Sequence, residues 1–161
     1  YVSGLYDRLD EKTREKVLDT SGKIKVGELL ALLEGAACVV TNDTGPMHLA
    51  IALDRPTVSM FGPGSPDHYG VRRPNVEILY HPVFCSPCTY ETDEPPCAGD
   101  NVCMKLITVP EVIAAVQRQL TGKPAVQRLP IAAVTYQNAS ASALGVIRRA
   151  TVARMRALCA D

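Results

Sequence analysis

The 161 residues suffice for one ordinary domain with a core, and 47% are apolar, which excludes a chain disordered throughout. Seventeen basic side chains balance seventeen acidic ones, so no basic face for nucleic acid is expected. No uninterrupted run of about 18 apolar residues occurs, so no membrane-spanning helix is predicted.

Tyr1 opens inside what reads as a helix. Asp7, Arg8, Asp10, Glu11 and Lys12 follow too early for the apolar stretch of an export signal. The chain is therefore expected to be cut from something longer and to sit in a reducing compartment. Val17-Leu18 is a candidate strand. From Val26, apolar residues recur at Leu29, Leu30 and Leu33, the spacing of a helix burying one face. Cys38 to Thr41 reads as a buried strand, broken by Asn42-Asp43-Thr44-Gly45-Pro46. A helix from Met47 to Leu53 follows, with Pro46 suited to a first helical position. Asp54-Arg55-Pro56 stops it. Thr57 to Phe61 is a second strand, Gly62-Pro63-Gly64-Ser65-Pro66 a second turn, and Val76 to Tyr80 a third strand.

Strands alternating with helices predict an α/β fold with a Rossmann-like parallel sheet. Phe84 to Met104 carries little periodicity and holds Cys85, Cys88, Cys97 and Cys103. Thr108 is placed to cap a helix ending near Leu120, with Pro110 and Glu111 in its first turn and Gly122-Lys123-Pro124 as its stop. Residues 1–123 are thus read as one incomplete domain. Residues 124–161, with a strand at 131–134 and an Arg-rich helix at 143–158, are a linker, a tail or the start of another segment. Asn138-Ala139-Ser140 fits a glycosylation sequon, a pattern common by chance.

The stretch Val39 to Ala50 carries the most chemistry. A buried strand runs through a tight glycine turn directly into a helix, which leaves backbone N–H groups without partners at the helix start. Such a start attracts phosphate through those amides and through the helix dipole. Gly45 lets a ligand approach the backbone, Thr44 adds a hydroxyl, and His48 on the first helical turn reaches toward a diphosphate or a sugar hydroxyl. Asp43 repels a phosphate, so it is expected to cap the helix or to bind hydroxyl groups. The second turn, Gly62 to Pro66, stands at the same edge of the sheet, and two such turns make a crevice. The plain alternative is a cap and a turn with no ligand, and a histidine that only packs.

The series Asn42-Asp43-Thr44-Gly45-Pro46-Met47-His48-Leu49-Ala50, Pro56-Thr57-Val58, Phe61-Gly62-Pro63, Cys85-Ser86-Pro87-Cys88, Cys97, Cys103-Met104 and Pro110-Glu111-Val112 resembles the C-terminal domain of the ADP-heptose:lipopolysaccharide heptosyltransferases, glycosyltransferase family nine. The likeness runs from about Gly22 to Leu120. It implies the C-terminal half of a GT-B fold, incomplete here, with a nucleotide-sugar donor in the cleft between two domains. It implies donor contacts from Asp43, Thr44, Gly45, Pro46 and His48, an ADP-heptose-like donor, and a lipopolysaccharide core or other glycan acceptor. No metal is required for catalysis. The general base is expected on an N-terminal domain, so no catalytic residue is assigned in this chain, and the chain alone is expected to be inactive. The implied location is cytoplasmic, at the periphery of the inner membrane. Two departures stand out: Ile24-Lys25 where a capping Thr or Ser is usual, and Asp54-Arg55 where a Gly precedes the proline. Other GT-B nucleotide-sugar enzymes, such as an epimerase, share these features, and a non-catalytic zinc-stabilised binding module is the reading from a different class.

The cysteine spacing C-x2-C-x8-C-x5-C admits a structural zinc, reduced thiols packed in a loop, or disulfides. The close first pair favours metal, and the wide second pair does not.

Overall fold

The computed structural model describes residues 2–89 and 91–122, so the expectations for 124–161, the sequon included, lie outside the described residues. In chain order the elements are α1 (Val2–Tyr6), α2 (Glu11–Arg14), α3 (Val26–Gly35), β1 (Val39–Asn42), α4 (Gly45–Ala52), β2 (Thr57–Phe61), α5 (Pro66–Tyr69), β3 (Val76–Tyr80), α6 (Val102–Lys105) and α7 (Val109–Thr121). The three strands form one parallel sheet in the order β1-β2-β3. Val39 pairs with Thr57 and Thr57 with Val76, so the strands start level. Phe61 pairs with Tyr80 at the far end. All three therefore release the chain at one edge.

Side chains along a strand alternate between faces, and the packing follows that period. Phe61 and Val76 meet Met47 and Ile51 of α4 on one face. Val58 and Leu79 meet Ala115 of α7 on the other. Leu33 of α3 closes on Val39 and Ala50, which widens the first layer toward β1. Phe61, Met47 and Val58 are fully buried, and each such side chain stabilises the fold by about 1.5–3 kcal/mol. The central β2 is covered on both faces, whereas Val40 of β1 is 46% exposed on the α7 side.

The caps explain the helix limits. Thr108 Oγ1 accepts from Glu111 N, and Glu111 Oε2 accepts from Thr108 N, each at 3.4 Å, so α7 starts in a reciprocal capping box. It ends at Gly122, whose left-handed φ of 66° is one a glycine adopts without cost. At α3 the missing Thr or Ser is made good differently. Lys25 has no side-chain acceptor, but Glu28 reaches back and accepts its backbone N–H at 2.7 Å. Asp54 takes a left-handed φ of 56°, and its carboxylate accepts from Asn75 Nδ2 at 2.9 Å. The chain thus turns at both positions without a Thr or Ser cap at the first and without a Gly at the second.

Val17-Leu18 forms no strand. Asp19 Oδ1 accepts from Ser21 N at 2.9 Å, turning the backbone immediately afterwards, and Leu18 is left 79% exposed. Two apolar residues before an Asx turn have no neighbouring strand to join. The short helices α2, α5 and α6 carry too few residues to show a periodicity.

One charged side chain is buried in the sheet. Glu77 on β3 is 4% exposed and is paired with the Arg118 guanidinium of α7, whose Nε donates at 3.2 Å. The same pairing holds Arg118 above its ordinary pKa, through the hydrogen bond to Glu77 first. His81, just past β3, meets Glu111 of α7 at 2.9 Å. Two cross-links therefore tie α7 back to the strand that precedes the cysteine segment.

Candidate donor-binding cleft

Beyond the ends of the strands lies a cleft of about 520 Å³. Its first wall is the β1–α4 turn, with Asn42, Asp43, Thr44, Gly45 and His48. These residues meet because β1 ends at Asn42 and α4 begins at Gly45, which leaves two residues to reverse the chain. Asp43 N donates to Met60 O at 3.2 Å, which extends the ladder to β2 by one bond. Thr44 is the N-cap in extended geometry, but its side chain makes no capping hydrogen bond. The Thr44 hydroxyl instead donates to Asn42 O at 3.3 Å. The positive end of α4 is therefore left to the cleft.

Asp43 does not cap the helix, which corrects one of its two expected roles. Thr44 holds the cap position, and the Asp43 carboxylate lies against Gly64 of the second turn. A Cβ at Gly64 would collide with Asp43 Oδ2. A carboxylate at the cleft wall accepts hydrogen bonds from hydroxyl groups, as the other expectation has it. At Gly45 the situation is reversed: nothing lies within 4 Å of where a Cβ would stand. That open space belongs to the cleft. Pro46 is half-buried in the first turn of α4, directly after the cleft-lining Gly45.

The second wall is the β2–α5 turn, with Gly62, Pro63 and Gly64, joined by Tyr69. The third comes from the segment after β3, with Thr89, Asn101 and Met104. Sequence periodicity gives no sign of these three. The signal that finds them is topological, because every loop following a strand of a parallel sheet leaves from the same edge.

The cysteine segment is fastened to the second wall. Cys88 N and Thr89 N both donate to Pro63 O, at 2.9 and 3.0 Å, and Ser86 Oγ donates to Gly62 O. A smaller cavity of about 150 Å³ lies behind, lined by Cys85, Cys88, Cys97 and Cys103 together with Pro63. Cys38, Cys85, Cys88, Cys97 and Cys103 are all free thiols. Burial first, and then the neighbouring Cys88, Cys97 and Cys103, push Cys85 up to about 11. Burial likewise raises Cys88 and Cys103. Among the described residues, no three His, Cys, Asp or Glu side chains are arranged to hold a metal ion. The four cysteines share a cavity without forming a ligand set as they stand.

The chain thus sets a glycine turn at a helix start on the edge of a parallel α/β sheet, open to a cleft. Residues 5–98 match glycosyltransferase family 9 (heptosyltransferase), more than half of the chain, and the chain belongs to that family. It is 40% identical over 60 residues to lipooligosaccharide heptosyltransferase 2 of Haemophilus influenzae, a stretch covering 37% of this chain and 17% of that protein. It is 37% identical over 70 residues to lipopolysaccharide heptosyltransferase 1 of Pseudomonas aeruginosa, 44% of this chain and 20% of that protein. The fold is similar to the structure of the E. coli ADP-heptose lps heptosyltransferase II, with a TM-score of 0.62 at 22% identity, over 74% of this chain and 32% of that one. The matches thus span less than a third of any of these three relatives. The fold is accordingly α/β with a three-stranded parallel sheet, a partial match to a GT-B heptosyltransferase. No helix among the described residues is long and apolar enough to cross a membrane.

Proposed function

We propose that this chain is the donor-binding part of a heptosyltransferase, taking ADP-heptose for transfer to a lipopolysaccharide core acceptor at the cytoplasmic face of the inner membrane. The observation that carries the reading is the uncapped start of α4, opening on a cleft with Gly45 facing empty space. A diphosphate fits that start through backbone amides and the helix dipole, and it needs no metal to do so. Thr44 and His48 add donors beside it. Asp43, poor company for a phosphate, suits the hydroxyl groups of the sugar. Catalysis requires a second domain that supplies the general base and the acceptor site, and this chain by itself turns over no donor.

Titration of the purified chain with ADP tests the reading, with Gly45→Val as the paired variant. A valine enters the open space, so the fold stays intact and ADP affinity falls at least about a hundredfold, the loss expected when a side chain displaces the phosphate from its amides. Unchanged ADP affinity in a folded Gly45→Val variant would refute the site.

A further inference from the structure

The third wall of the cleft holds a polar side chain with no work inside the fold. Asn101 is the N-cap of α6, yet its backbone is left-handed, at φ 52° and ψ 45°, and its side chain makes no capping hydrogen bond. An N-cap asparagine ordinarily stands in extended geometry and gives its oxygen to the helix amides. Here the backbone is secured instead by its own carbonyl, which accepts from Met104 N at 2.9 Å and Lys105 N at 3.1 Å. The carboxamide, exposed at the cleft, has no hydrogen-bond partner among the described residues. Thr89 lies on the same wall, its backbone N–H bound to Pro63 O and its hydroxyl without a hydrogen-bond partner among the described residues; Thr89 and Asn101 also border the cysteine cavity.

This wall does not float. Met104 packs so closely on the second turn that a Cβ at Gly62 would stand 2.5 Å from Met104 Cγ. The bonds to Gly62 O and Pro63 O hold the other side of the segment. The turn after β1 and the wall beyond β3 both line this cleft, with β2 between their strands. A carboxamide offers both donor and acceptor, and a threonine hydroxyl does too, which is the pattern that vicinal hydroxyls satisfy.

We infer that Asn101 and Thr89 hold a hydroxyl-bearing ring of the donor, ribose or transferred sugar, on the β3 side of the diphosphate. The inference rests on the donor-site reading above and extends it to the cysteine segment. Asn101→Gly removes the carboxamide while keeping a residue at ease with positive φ. Thr89→Val removes only the hydroxyl and leaves the backbone bond to Pro63. The purified full chain and both variants are titrated with ADP and with ADP-heptose, and thermal unfolding checks the fold. Each variant should bind about three- to tenfold more weakly, the loss of one or two neutral hydrogen bonds. Weakening of both ligands identifies the ribose, and weakening of ADP-heptose alone identifies the transferred sugar. Wild-type affinity of both variants for both ligands overturns the inference while the donor site stands, provided Gly45→Val still abolishes binding. A wild-type chain that binds neither ligand overturns both.

Discussion

The turn after β1 and the segment after β3 leave the same edge of one sheet and face the same cleft, yet they are built on opposite principles. The first spends two residues between strand and helix, and everything it does is local: an extended Thr44, an adjacent Gly45, a helix start left uncapped. The second runs from His81 through the cysteines to α7, with only the four-residue α6 as regular structure among its described residues. It keeps its place through distant contacts, with Gly62, Pro63 and the start of α7. A short turn is specified by its own residues, whereas a long excursion is specified by what it lands on. The fold places both kinds on one cleft.

The largest expected effect comes from cutting the base of the excursion. Arg118→Ala strands the Glu77 carboxylate, 4% exposed, with no partner. Arg118 is itself 39% exposed, so leaving the buried carboxylate unpaired costs about 1–3 kcal/mol, and chemical denaturation should show a loss of that order. A loss under about 1 kcal/mol would mean that apolar packing of α7 alone holds the segment. A smaller effect should follow from Gly62→Ala, which pushes on Met104 and costs about 1–2 kcal/mol as a local overpacking. It should also weaken ADP-heptose more than ADP, because it displaces the third wall and spares the first. Equal weakening of both ligands would put the disturbance at the phosphate turn instead.

The smallest effect is a titration. Cys85 is raised from its ordinary 9.0 to about 11, by burial first. A thiol that ionises later in the folded chain than in the unfolded one leaves stability intact below about pH 9 and subtracts from it as pH climbs toward 11. The melting temperature should therefore be flat across neutral pH and decline above 9, and Cys85→Ser should lessen that decline. Fast alkylation of Cys85 at pH 7 by iodoacetamide would contradict a thiol held so firmly protonated.

The same contrast decides what could be read from residues alone. Cys38–Thr41, Thr57–Phe61 and Val76–Tyr80 stand in the sequence as short apolar runs between turn residues, and the sheet keeps the last two and moves the first by one residue, to Val39–Asn42. Asp43, Thr44, Gly45 and His48, which line the cleft together, stand out in the sequence because their signal is spacing within ten residues. Thr89 and Asn101 left no trace, and Met104 entered only through the Cys103-Met104 pair of the resemblance, since no local pattern records that a coil will fold back over a distant glycine. Glu77 belongs with them: a carboxylate amid strand residues becomes intelligible only once Arg118, 41 positions later, is seen across from it.

The level register of the three strands acts as a ruler for the cleft. Asn42 pairs with Met60 and Phe61 with Tyr80, so each wall rises from a nearly common height. Losing one residue inside a strand would drop its wall by about 3.3 Å and turn its inward side chains outward. Adding residues past the strand ends would change only the rim. Variation that reshapes ligand preference is thus channelled into the turns, and the strands beneath them keep their length.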